Sequence, residues 1–141
     1  MDQVLIVDGH SAIFAWPELR KLHDSRTARA RSELISMLTR YQDASGIHVV
    51  VVFDGEGRQT DRAGGKDGDI LVLYSRDGET ADTVIERIVA RKADGMRLTV
   101  ASNDRAELET VSAFGGDCIG LRTLREMLER ADQEHRRTWG Y

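Results

Sequence analysis

The chain has 141 residues, the usual length of one domain and enough to bury a core without disulfides or a structural metal. Its 40% hydrophobic and 31% charged residues exclude wholesale disorder, and a formal net charge of -4 lacks the basic excess of a generic nucleic-acid coat protein. No run approaches the roughly 20 apolar residues of a membrane span, Asp8 interrupts the apolar start too early for a signal peptide, and a single cysteine, Cys118, excludes an internal disulfide and suits a core position; a cytoplasmic chain with no membrane partner is expected.

In chain order, Gln3 to Val7 is apolar and β-branched on successive residues, the pattern of a strand covered on both faces, and it stops at Asp8-Gly9. Thr27 to Ala44 places Ala30, Leu34, Ile35, Leu38 and Tyr41 at helical spacing, with Gly46 closing the element. Ile47 to Phe53 repeats the strand pattern and runs into Asp54-Gly55. The stretch from Gly55 to Asp69 is glycine-rich and charged with no apolar period, and reads as a mobile loop. Ile70 to Tyr74 is a third strand, and Glu79 to Ala93 a helix with Ala81, Val84, Ile85, Ile88 and Val89 on one face. Arg97 to Ala101 is a fourth strand, running into Ser102-Asn103-Asp104; Asp104 to Phe114 is a shorter helix. Asp117 to Ile119 is a fifth, short strand, and Leu121 to about Arg136 a final helix, leaving a tail from Thr138 too short to be an element. Such alternation means βαβ units: an α/β fold, a three-layer α/β/α sandwich around a mostly parallel sheet of about five strands, in one domain spanning 1–141.

In a parallel sheet the carboxyl ends of the strands share one edge, where ligands bind at the point of reversed winding. Asp8 and Asp54 directly follow strands, Asp104 lies three residues past the fourth, and Asp82 lies in the first turn of the helix after the third, so these four belong to that edge; Glu79, three before Asp82, shares its helical face. Asp104 and the Glu79/Asp82 pair equally suit helix caps. Asp8 and Asp54 fit that alternative less well, because a carboxylate on an apolar strand end is costly to desolvate unless an ion compensates. Oxygen ligands without histidine or cysteine fit Mg²⁺ or Mn²⁺ rather than zinc, and such a cluster suits phosphodiester hydrolysis.

The runs Leu5 to Ile13, Ala15 to Leu19, Val50 to Asp54, Glu79 to Asp82 and Ala101 to Asp104 together resemble, in order and over nearly the whole chain, the NYN domain proteins of the YacP type. These are PIN-like ribonucleases, some of them ribosome-associated endoribonucleases. The resemblance implies a PIN-like fold and a metal-dependent endoribonuclease of single-stranded RNA. It further implies Asp8, Asp82 and Asp104 as metal ligands, Asp54 and Glu79 as further catalytic candidates, and Ser102 and Asn103 as residues orienting a ligand or water. The family's usual Asp-Gly-Tyr-Asn reads Asp8-Gly9-His10-Ser11 here, leaving Ser11 in the orienting position.

Arg20 and Lys21, continued by Arg26, Arg29 and Arg31, and Arg58, Arg62 and Lys66 in the loop, are candidate RNA grips, with solvated surface as the alternative. Trp16 is expected to anchor the chain on the sheet rather than stack a base, and His10 to pack rather than catalyse. Two rivals follow. A catalytically weak RNA- or ribosome-binding module on the same scaffold is favoured by Ser11. A phosphoacceptor receiver domain is disfavoured, since Ser75 and Gly120 stand where it needs an aspartate and a lysine.

Overall fold

The computed structural model describes residues 2–55, 60–62, 69–92 and 94–140, with residues 60–62 as backbone only. Strands β1 (Gln3–Asp8), β2 (His48–Phe53), β3 (Thr60–Arg62), β4 (Leu71–Tyr74), β5 (Arg97–Ala101) and β6 (Asp117–Ile119) form one sheet in the order β3-β4-β2-β1-β5-β6. All neighbours are parallel except β3, which pairs antiparallel with β4. This short edge strand lies where a loop was expected, because three residues are too few to show a period. From β1 the chain winds outward to β2 and β4, then returns to place β5 on the other side of β1. The winding therefore reverses between β1 and β5, which opens the crevice at their carboxyl ends.

The strands are continuously apolar because helices cover both faces. Leu5, Val7, Val49, Val51 and Phe53 pack with α1 (Gly9–Ala15), α2 (Pro17–Ser25), α3 (Thr27–Ser45) and α6 (Leu121–Trp139). Ile6, Val52, Leu98 and Val100 pack with α4 (Ala81–Ala90) and α5 (Arg105–Ala113) on the opposite face. The expected three-layer arrangement is what forms.

Helices α1 and α2 had no counterpart in the sequence reading. They have 7 and 9 residues, and Trp16 interrupts the helical period between them in extended backbone (φ -100°, ψ 116°), as expected before a proline. Pro17 then starts α2 at a position where a missing N–H costs nothing. Trp16 is an anchor: it is buried, its indole Nε1 donates to the Leu121 carbonyl at 3.2 Å, and the Arg125 guanidinium covers its ring at 5.0 Å. The tail from Thr138 proves partly helical, since α6 continues through Trp139 before Gly140 closes it with φ 79°. Among the described residues no helix is long and apolar enough to cross a membrane.

Candidate metal centre

Strand parity decides which layer each terminal residue serves. Asp8 is in phase with Ile6, so it belongs to the layer of α4 and α5. There it meets Asp82, the second residue of α4, and Glu107, the third of α5. One carboxylate oxygen from each of the three lies within 4.8 Å of the others. Asp8 is 5% and Glu107 2% exposed, while Asp82 is half-buried.

Ser102, in phase with Leu98 and Val100, forms the floor of this cluster and is fully buried. Its Oγ accepts the Asp104 N–H at 3.0 Å and lies 3.4 Å from Asp8 Oδ2, 3.4 Å from Glu107 Oε2 and 3.5 Å from Ser11 Oγ. Its one proton lies between two carboxylate oxygens at the long end of hydrogen-bond range, and the Ser11 hydroxyl can donate to the Ser102 hydroxyl or accept from it. The Ser11 N–H donates to Asp8 Oδ1 at 3.3 Å, which makes Asp8 the N-cap of α1 as well as a member of the cluster.

Burial pushes the Glu107 carboxyl up to about 10, and its hydrogen bond to Asp82 and the negative charge of Asp8 add to the rise. A proton on Glu107 relieves the repulsion from Asp82 and Asp8. Ionised, Glu107 would leave its buried Oε1 without a donor among the described residues. Three carboxylates held this close need a positive charge between them, and a proton or a cation supplies it. The all-oxygen donor set and the undonated Oε1 fit a hard divalent cation such as Mg²⁺ or Mn²⁺.

Asp104, expected among the ligands, is placed elsewhere. It is exposed, and its Oδ1 accepts the Ala106 and Glu107 N–H groups at 3.0 and 3.3 Å as the N-cap of α5. Glu107 takes the third corner instead. The sequence reading missed it, although the signal was present: Glu107 is in phase with the buried Val111, which puts a carboxylate on the apolar stripe of a helix that starts at the site.

Asp54 also stands outside the cluster. Its side chain is 53% exposed, so no desolvation argument applies to it; Oδ1 accepts the Ala81 N–H at 2.7 Å, and Oδ2 lies 3.9 Å from His10 Nδ1. From the end of the strand next to β4 it holds the first residue of α4, whose N-cap is Thr80, and so helps fix where Asp82 stands. Glu79 is paired with Arg87, whose guanidinium holds its carboxyl below the usual range against a smaller burial effect. Asn103 accepts the Leu121 N–H on Oδ1 at 3.0 Å and so fixes the start of α6. Arg20 and Lys21 are exposed on α2; Arg58 and Lys66 lie outside the described residues, and of Arg62 only the backbone is described. Cys118 donates to the Leu108 carbonyl at 3.1 Å, and burial pushes its thiol up.

Gly9 and Gly55, each following a strand-end aspartate, are explained by close approach. A Cβ on Gly9 would lie 2.4 Å from the Phe53 ring, and one on Gly55 would lie 2.0 Å from the Ser75 carbonyl oxygen.

The fold and the site together define an α/β domain of nuclease-like fold with a carboxylate triad at the switch point of its sheet. The match to the YacP-like NYN domain covers residues 5–139, and the chain belongs to that family. It is 31% identical to the YacP protein of Bacillus subtilis (strain 168) over 141 residues, which is 95% of this chain and 78% of that protein. It is similar to two crystal structures of Rae1 (YacP) from Bacillus subtilis. The first, of a point mutant, has a TM-score of 0.80 at 29% identity and covers 95% of this chain and 79% of that one. The second has a TM-score of 0.79 at 30% identity and covers 98% and 79%.

Proposed function

We propose that the protein is a metal-dependent endoribonuclease that hydrolyses phosphodiester bonds in single-stranded RNA, with Mg²⁺ or Mn²⁺ held by Asp8, Asp82 and Glu107. The observation that carries this reading is the triad, two of its members buried and one half-buried, all within 4.8 Å, with a glutamate whose Oε1 lacks a donor when ionised. When bound, such a cation activates water and offsets the charge that grows on the phosphoryl oxygens. The chain's own groups do the remaining work. Glu107 would have to give up its proton to serve as a ligand, the Ser102 hydroxyl lies within reach of both the Asp8 and the Glu107 carboxylates, and Asp104 and Asp54 hold the helix starts that carry Glu107 and Asp82. The single-stranded substrate and a ribosomal setting rest on the family resemblance alone.

Cleavage of a labelled single-stranded RNA in Mn²⁺ tests the reading. Asp8→Asn and Glu107→Gln are expected to reduce cleavage to background with the circular dichroism spectrum unchanged; retained cleavage in both contradicts it. The rival reading is a binding module without catalysis, favoured by Ser11 where the family has asparagine. That rival expects RNA binding in EDTA and no cleavage in any metal.

A further inference from the structure

One aromatic side chain of α1 stands outside the core. Phe14 is 46% exposed, whereas Ala12 and Ile13 beside it are buried. A lone exposed phenyl needs no explanation, but this one is braced. His10, one turn earlier on α1, stacks on it at 6.2 Å and 27°, and His23 of α2 meets it edge-on at 5.0 Å and 72°. His10 is in turn set edge-on against the buried Phe53 ring at 6.4 Å. The ring is thus held before any ligand arrives, so ordering it on binding costs little.

Phe14 and His10 form one wall of an open cleft of about 460 Å³, and Ser11, Ala15, Asn103 and Asp104 complete it. The cleft shares Ser11 and Asp104 with the surroundings of the acidic triad: Ser11 donates to Asp8, and Asp104 caps the helix that carries Glu107. Phe14 lies six residues beyond Asp8, about 9 Å along the helix axis. The cleft and the triad meet at Ser11 and Asp104, so a strand crossing this end of the sheet passes both. The chemistry of the cleft suits a base, because it offers a π-face next to polar edge groups. Asn103 uses Oδ1 on the Leu121 N–H, and its amino group has no protein partner among the described residues. Arg20 and Lys21, exposed on the adjoining α2, carry the positive charge a backbone needs.

We infer that Phe14 is the stacking platform for a nucleobase of single-stranded RNA next to the cleaved phosphate, with His10 and His23 as positioning residues that hold its ring. This rests on the RNA reading of the triad and specifies how the same site grips its substrate. Stacking on an aromatic face tolerates any base, so the platform gives affinity with little sequence preference.

The test uses short oligoribonucleotides carrying 2-aminopurine, whose fluorescence is quenched by stacking. They are titrated in EDTA against the wild-type chain, Phe14→Leu and Phe14→Trp, with Mn²⁺-dependent cleavage of the same strands followed in parallel. Phe14→Leu keeps apolar bulk without a π-face. It is expected to lose the quenching and to bind roughly tenfold more weakly, with KM raised and kcat little changed; Phe14→Trp is expected to restore both. Equal affinity and quenching in wild type and Phe14→Leu overturns the platform while leaving the endoribonuclease reading intact. Quenching that depends on Phe14 without any cleavage removes that reading and, with it, the placement of Phe14 beside a cleaved phosphate. Failure of the wild type to bind RNA at all overturns both.

Discussion

Glu107 concentrates the chemistry of this protein in one side chain. Its carboxyl is pushed up to about 10 by burial, by Asp82 and by Asp8, whereas in the unfolded chain it titrates as an ordinary glutamate. Between those two values the folded chain holds a proton that the unfolded chain has released. The stability this proton contributes is therefore fully present below the ordinary carboxylate range and is lost as pH rises toward about 10. In EDTA, the urea midpoint is expected to be lower at about pH 9 than at about pH 5, and Glu107→Gln is expected to flatten the difference. An unchanged pH dependence in that variant would place the titration elsewhere. Divalent metal should show the opposite trend and bind more tightly as pH rises, because loading displaces the same proton. Ser102, which bonds within the triad without belonging to it, is expected to cost about 10- to 100-fold in metal affinity or cleavage when changed to alanine, read by Mn²⁺ titration.

At the scale of elements, the triad is assembled by helix starts fixed onto strand ends. Asp54 holds the first residue of α4 from the end of β2, and Asp104 caps α5 from β5. Removing the Asp54 hydrogen bond with Asp54→Ala is expected to cost about 1 kcal/mol in thermal unfolding, with a further loss of metal affinity because Asp82 is freed. Gly9→Ala would force a methyl to 2.4 Å from the buried Phe53 ring, and overpacking of this kind costs about 1–3 kcal/mol; a melting temperature equal to wild type would contradict the packing described. The long apolar strands and α3, α4 and α6 were legible in the sequence, because elements buried on a face must repeat at the period of their geometry. Helices α1 and α2 were not, being short and interrupted at Trp16-Pro17. Within the site, Asp8 was legible because it follows a buried strand. Glu107 was hidden by its own neighbourhood: Asp104 and Glu107, three apart at a helix start, also form the pattern of an N-cap aspartate and a first-turn glutamate. The sequence shows that an acid can serve as a cap; only the packed layers show that Asp104 does so while Glu107 turns inward.

At the scale of the whole molecule, the sheet order puts β1 and β5 side by side and opens the crevice between layers where the triad sits. Both apolar layers brace that crevice, so filling it should stabilise the entire fold. Saturating Mn²⁺ at about 100 times its dissociation constant is expected to add about 2.7 kcal/mol, seen as a raised melting temperature that EDTA reverses and Asp8→Asn abolishes. The family relationship accounts for the scaffold, and the triad accounts for what that scaffold is proposed to do. The most direct measurement is anomalous diffraction from crystals soaked in Mn²⁺. A peak bounded by carboxylate oxygens of Asp8, Asp82 and Glu107 is expected; a peak at Asp104 without Glu107, or none at the triad, would contradict the assignment.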